Sequence, residues 1–293
     1  MTEKPKLFCF GLGYSAAVLS RRLLGHGWRI AGTSRDPAKR AGLAAEGFEM
    51  HAFSEEAPLA DAGTALAGTT HLLISIAPGA QGDPVLLNHL ADLRALSALR
   101  WVGYLSTTGV YGNRDGGWVD EQSELRATSP RGRRRIAAER AWLSQVGDAV
   151  PVHIFRLAGI YGPGRSVLDQ VRAGTARRVD KGGHLFSRIH VEDIATVLER
   201  SMKRPKPGAV YNLCDDEPAP SADVVLEACR LLGVAPPPAV PFEQAWAEMS
   251  PMARSFWSDS RRVRNGRIAA ELGVRLRYPT YREGLAAILA EGG

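Results

Sequence analysis

Long apolar runs are missing from this 293-residue chain, and so is any paired spacing of cysteines. No stretch approaches the ~20 consecutive apolar residues a membrane-spanning helix needs. The apolar run ahead of Gly11 is too short for a secretory signal. Cys9, Cys214 and Cys229 are odd in number and far apart, which argues against a disulfide framework and for reduced thiols in a cytoplasmic protein. Low-complexity tracts, internal repeats, zinc-ligand spacing, a helix-turn-helix and RNA-binding aromatic motifs are also missing. The net charge of +6 and pI near 9.4 are therefore not read as nucleic-acid binding. The densest basic clusters, Arg131-Gly132-Arg133-Arg134-Arg135 and Arg261-Arg262 with Arg264 and Arg267, read as solvated surface, and next as attraction for an anionic small molecule. The expected partner is a small-molecule substrate, without nucleic acid, membrane or metal.

What is present is concentrated between Lys6 and Ala16. Leu7-Phe8-Cys9-Phe10 suits a buried strand. Gly11-Leu12-Gly13-Tyr14-Ser15-Ala16 then reads G-x-G-x-x-A, and Val18, Leu19, Leu23 and Leu24 follow at helical spacing. Gly11 permits the tight turn, Gly13 lets backbone approach a pyrophosphate, and small Ala16 lets helix and strand pack closely. The helix start presents N–H groups and partial positive charge to the phosphates. All six residues are cofactor-binding candidates.

Trp28 to Ser34 reads as strand two, and Asp36-Pro37 as the cap and first residue of the next helix. In a dinucleotide fold the end of strand two meets the adenosine ribose. Ser34-Arg35 there predicts NADP rather than NAD, with Arg35 as plain surface the competing reading. Phe48 to Phe53 reads as strand three and His71 to Ile76 as strand four. Ala77-Pro78-Gly79 sits at its carboxyl edge, where small residues such as Ala77 let a cofactor pass. Leu86 to Leu99 is a helical pattern, Trp101 to Leu105 strand five, Arg131 to Val146 a helix started by Ser129-Pro130, Val152 to Leu157 strand six. The β-α-β-α alternation specifies an α/β fold with a doubly wound parallel sheet.

Five segments, in order, carry a resemblance: the glycine loop, Ser106-Thr107-Thr108-Gly109-Val110-Tyr111-Gly112, Arg156 to Arg165 (RLAGIYGPGR), Arg188 to Ala195 (RIHVEDIA) and Tyr211 to Asp216 (YNLCDD). The chain resembles the extended and atypical short-chain dehydrogenase/reductases, the NAD(P)-dependent nucleotide-sugar epimerase and dehydratase superfamily. The G-x-G-x-x-A loop departs from the G-x-x-G-x-x-G usual in extended members. The resemblance implies a Rossmann-type domain over 1–163 and a small C-terminal substrate lobe over 164–293, with about 188–214 returning to the first domain. It also implies a homodimer through helices beside strands four and five.

Such proteins use a Ser/Thr at the end of strand five, a Tyr acid/base and a Lys four residues after the Tyr. Thr107 matches the first. Counting back from Glu139 places Arg131 at the Tyr position and Arg135 at the Lys position. A guanidinium does not release a proton at physiological pH, so Arg131 cannot replace the phenol; Arg135 can still supply positive charge to a ribose. Tyr111, Tyr161 and His190 with Asp193 are replacement candidates, each weighed against structural packing, Asp193 reading better as a helix-start residue. Position in the family pattern assigns Arg165, Arg188 and His190 to substrate. Two functions follow: an NADP-dependent epimerase, dehydratase or reductase acting on a small, anionic or nucleotide-linked substrate, or a non-catalytic NADP(H)-binding sensor.

Overall fold

The computed structural model describes residues 4–292. Its elements follow apolar runs punctuated by caps. β1 (Lys6–Phe10), β2 (Arg29–Thr33), β3 (Glu49–His51), β4 (His71–Ile74), β5 (Trp101–Thr107), β6 (Val152–Leu157) and β7 (Val210–Leu213) form one sheet in the order β7-β6-β5-β4-β1-β2-β3. β1 and β4 are buried along their whole length, as strands covered on both faces must be. The register sets Phe8 beside Ala31 on one side and Leu72 on the other, all parallel. The chain steps outward from β1 to β3 and then returns to β4 on the opposite side of β1. That reversal is the point where open α/β sheets bind ligands at their carboxyl edge.

Between the strands run α1 (Tyr14–Gly25), α2 (Pro37–Ala45), α3 (Ala62–Leu66), α4 (Pro84–Arg94), α5 (Pro130–Gln145), α6 (Val167–Arg172), α7 (Val191–Lys203) and α8 (Ser221–Leu232). Caps set several boundaries. Asp83 accepts from the N–H groups of Val85 (3.0 Å) and Leu86 (3.3 Å), so α4 begins two residues before the apolar pattern does and closes at Arg94 instead of Leu99. β3 is shorter than the Phe48–Phe53 expectation: Phe48 N–H bonds back to Leu43 O at the end of α2, while Phe53 turns its ring edge onto Phe10. β5 runs past Leu105 to Thr107. Lys6 tolerates burial in β1 because its ammonium donates to Ala65 O (2.8 Å) and Ala67 O (3.2 Å), with Glu49 at 3.4 Å.

The chain forms two compact units, each built from three stretches. The first takes residues 1–107, 133–156 and 195–211; the second takes 108–132, 157–194 and 212–293. The first unit's core joins Phe8, Phe10, Leu72, Val102, Trp142 and Ile154. In the second, short parallel pairs join Gly159–Tyr161 to Arg188–His190 and Arg178–Asp180 to Ala239–Pro241. Its core gathers Tyr161, Leu168, Val224, Ala228, Tyr281 and Leu285, the last two from the final helix, Tyr281–Gly292. Among the described residues no helix is long and apolar enough to cross a membrane, and no group of His, Cys, Asp and Glu is arranged to hold a metal.

Candidate functional site

In the first unit the glycine loop leaves β1 at Gly11, whose φ of +85° lies in the left-handed region. A Cβ on Gly11 would stand 2.4 Å from Ile76 Cγ2. The turn is pinned to β2: Gly11 N–H donates to Thr33 Oγ1 (2.9 Å) and Leu12 N–H to Thr33 O (2.8 Å). Leu12, Ser15 and Ala16 are buried, so these positions offer backbone to a ligand and side chains to the core. Gly13 is the N-cap of α1 and supplies no capping side chain. A Cβ placed on it would meet only Gly11 O, at 4.0 Å. The opening of a twelve-residue helix is thus left uncovered by side chains, with Tyr14 half-buried beside it. That cradle fits a pyrophosphate.

At the tip of β2, Asp36 caps α2 by accepting from Ala38 N–H (2.9 Å) and Lys39 N–H (3.3 Å), while Ser34 Oγ accepts from Asp36 N–H. The carboxylate is thereby committed to the helix, and Arg35 stands exposed beside it. Arg40 adds a second guanidinium to the same turn, its Nη1 donating to Ser34 O (2.9 Å) and Arg35 O (3.1 Å). No local signal marks Arg40 in the sequence, because it lies inside α2. Ala77 is exposed just beyond β4, and Thr107 is half-buried at the last position of β5.

Arg135 is buried, and Nη1 donates to Leu105 O (2.8 Å), Tyr104 Oη (3.0 Å) and Ile76 O (3.3 Å). Its charge stands at the carboxyl edge of β4 and β5, with one nitrogen fully engaged by the protein. Arg131, one helical turn earlier, is exposed. One turn later, Glu139 and Arg156 form a buried ion pair: Arg156 Nη2 donates at 2.8 Å to a carboxylate that also accepts from Ser106 Oγ.

The second unit holds the other candidates. The register of its short sheet places His190 beside Tyr161. Tyr161 is 8 % exposed, donates weakly to Thr280 O (3.4 Å) and lies so close to Gly284 that a Cβ there would fall 2.7 Å from ring atoms. Burial, reinforced by the carboxyls of Asp215 and Asp193, pushes its phenol far up, so it keeps its proton at neutral pH. His190 accepts from Glu192 N–H through Nδ1 and packs 4.1 Å from the Tyr278 ring; burial, with Arg277 nearby, lowers it to about 4. Asp193 is turned away from His190 to accept from the backbone N–H groups of Arg277 (2.7 Å) and Tyr278 (3.1 Å). No His–Asp dyad forms. Tyr111 is buried and donates to Asn212 Oδ1 at 2.7 Å, a structural bond.

Arg165 and Arg188 are brought together on a cavity of about 420 Å³ that Tyr161 also lines. Asp215, beside Arg188, carries no sequence signal of its own. It is 1 % exposed, and neither carboxylate oxygen completes a hydrogen bond, although the N–H groups of Arg188 and Glu217 lean toward it. Burial raises it to about 8 against the partial opposition of Arg188.

The sequence profile of the NAD dependent epimerase/dehydratase family matches residues 11–214. The structure of a functionally unknown conserved protein from Silicibacter pomeroyi is 53 % identical, with a TM-score of 0.88, over 98 % of this chain and 99 % of that one. Protein YeeZ of Escherichia coli K12 is 27 % identical over 94 % of this chain and 96 % of its own length. MoeE5, whose structure holds UDP-glucose and NAD, shares the fold with a TM-score of 0.76 at 21 % identity, covering 98 % of this chain and 97 % of that one.

Proposed function

Because the chain belongs to the NAD dependent epimerase/dehydratase family, we propose that it binds NADP(H) through the first unit and acts as a reductase- or epimerase-like enzyme on a small substrate. The observation that carries this reading is the cradle at the start of α1, uncovered by side chains and followed by the basic turn of Arg35 and Arg40. The Gly11–Ala16 backbone holds the pyrophosphate, and Arg35 and Arg40 favour the 2′-phosphate over two free ribose hydroxyls. When bound, the nicotinamide supplies or accepts a hydride. Thr107 offers its hydroxyl to the reacting oxygen from the end of β5. Arg135 contributes fixed positive charge, and Arg131 binds anionic substrate without donating a proton. The likeness to MoeE5, whose structure holds UDP-glucose, supports nucleotide-linked sugars as one proposed substrate class, alongside small carbonyl compounds.

Isothermal titration with NADPH, NADP, NADH and NAD tests the cofactor assignment. NADPH is expected to bind most tightly, and Arg35→Ala to weaken it by about tenfold, a loss of about 1.4 kcal/mol from one charged contact, while NADH changes little. Equal loss for NADPH and NADH removes the 2′-phosphate role. Absence of binding by all four removes the cofactor reading.

One observation favours the second reading, a non-catalytic NADP(H) sensor. Nη1 of Arg135 is engaged by carbonyls of β4 and β5 and by Tyr104 Oη, and no phenol stands at position 131. On the enzyme reading, the native protein is expected to oxidise NADPH with at least one member of a panel of aldehydes, ketones and nucleotide sugars. An inert native protein that gains turnover as Arg131→Tyr would instead establish a disabled site.

A further inference from the structure

The cavity of the second unit combines chemistries that the cofactor reading does not use. Its floor is the short sheet of Gly159–Tyr161 and Arg188–His190, and its walls come from α6, α8 and the final helix. Ile160, Val167, Val224 and Leu285 give the cavity an apolar lining, and Arg188 lines the same space. We propose that this cavity binds a small organic monocarboxylate with an apolar body, its carboxylate paired with the Arg188 guanidinium. The cavity lies wholly within the second unit, so its ligand does not depend on the cofactor. The walls from α8 and the final helix come after residue 214, where the match to the shared family profile ends.

Arg188 sets the charge of the ligand. Arg188 is half-buried, and Nη1 donates to two neutral acceptors, Phe186 O (2.9 Å) and Ala219 O (3.0 Å). No carboxylate forms an ion pair with it among the described residues. With no carboxylate within ion-pair distance, this guanidinium has charge left for an anionic partner. Burial pushes the carboxyl of Asp215 beside it up to about 8, with Arg188 opposing. Asp169 lines the cavity, but its Oδ2 accepts from Ser166 N–H (2.8 Å) and Ser166 Oγ (2.9 Å) in the cap of α6. Asp223 is exposed on α8.

A guanidinium beside an apolar lining selects ligand charge and shape together. A carboxylate matches the planar fork of arginine in a bidentate pair. A diphosphate would leave the aliphatic lining facing a polar group. Cavities of roughly 300–1,000 Å³ hold drug-sized ligands, so a space of about 420 Å³ suits a small one. Arg165, exposed and also lining the cavity, adds a second positive charge.

The test is calorimetric titration of the full-length protein at pH 7 with phenylacetate, 4-methylpentanoate, phenylacetamide and inorganic phosphate. At least one of the two carboxylates is expected to bind, with phenylacetamide and phosphate at least tenfold weaker. Arg188→Gln should lose that binding. Val224→Trp, which fills the cavity while leaving Arg188 in place, should lose it as well, with thermal melts reporting whether each variant folds. The proposal is overturned if neither carboxylate binds, if phenylacetamide or phosphate binds as well as the carboxylates, or if a folded variant of either kind retains the affinity of the native protein.

Discussion

Glu139→Ala is expected to lower the unfolding free energy by about 3–5 kcal/mol, the usual loss when a buried ion pair is broken from one side. Glu139 is 3 % exposed and Arg156 is 5 % exposed, and Arg156 grips the carboxylate through both Nε (3.2 Å to each oxygen) and Nη2 (2.8 Å). Removing the carboxylate leaves a guanidinium buried between α5 and β6 and strips Ser106 of its acceptor. The loss should be far smaller in Glu139→Leu combined with Arg156→Met, since replacing both members by apolar groups removes the desolvation penalty. Urea melts of the two variants decide the matter. If Glu139→Ala shifts stability by less than about 1 kcal/mol, the pair is not isolated from water. The effect bears on the site because Arg135 lies one turn from Glu139 on α5, held at the carboxyl edge by the same packing.

Asp215→Asn is expected to stabilise the protein, and only above acid pH. The carboxyl moves from an ordinary 3.8 to about 8 in the folded chain, with burial the main cause and Arg188 opposing it. Between those values the folded protein holds a proton that the unfolded chain has released, so stability falls as pH rises through the window. Asparagine presents the same shape with no proton to lose. The two proteins should therefore be almost equally stable near pH 4. Stability of the native protein then declines by about 1.36 kcal/mol for each pH step of one, and the variant should lead by about 5 kcal/mol near pH 8. Denaturant midpoints at pH 4.5, 6, 7.5 and 9 provide the check, and parallel curves would remove Asp215 as an uncharged group. The neighbours that enter the same balance are Arg188 and Asp216, with the N–H groups of Arg188 and Glu217.

The sheet was legible in the chain because local signals and tertiary demand coincide there. Leu7 to Phe10 is apolar without interruption, and the G-x-G-x-x-A turn has one structural solution between a strand and a helix. The caps at Asp36 and Asp83 are also local, although apolar periodicity alone misplaces the start of α4. The roles of side chains in the second unit were harder to read. His190 and Asp193 sit three residues apart where a helix begins, and the spacing invites a dyad. What separates them is the segment at Arg277 and Tyr278, more than eighty residues away in sequence, whose N–H groups claim the carboxylate. Tyr161 stands out in the sequence for its place after β6; its packing on Gly284 depends on a helix no local pattern ties to it. Arg156 carries a signal of its own, a permanent charge inside a mostly apolar strand, which calls for a buried partner such as Glu139.

The interleaving of the two units governs the order in which they can be completed during synthesis. The first unit takes its last stretch from residues 195–211, so a nascent chain released through residue 156 still lacks part of it. The second unit begins at residue 108, before the first is complete, and waits for 212–293. The first unit is complete only at residue 211, after two of the second unit's three stretches have been made, and the second waits for the final one. A chain that ends at residue 156 therefore carries neither unit whole, and exchange of a segment such as 108–211 with a relative transplants parts of both.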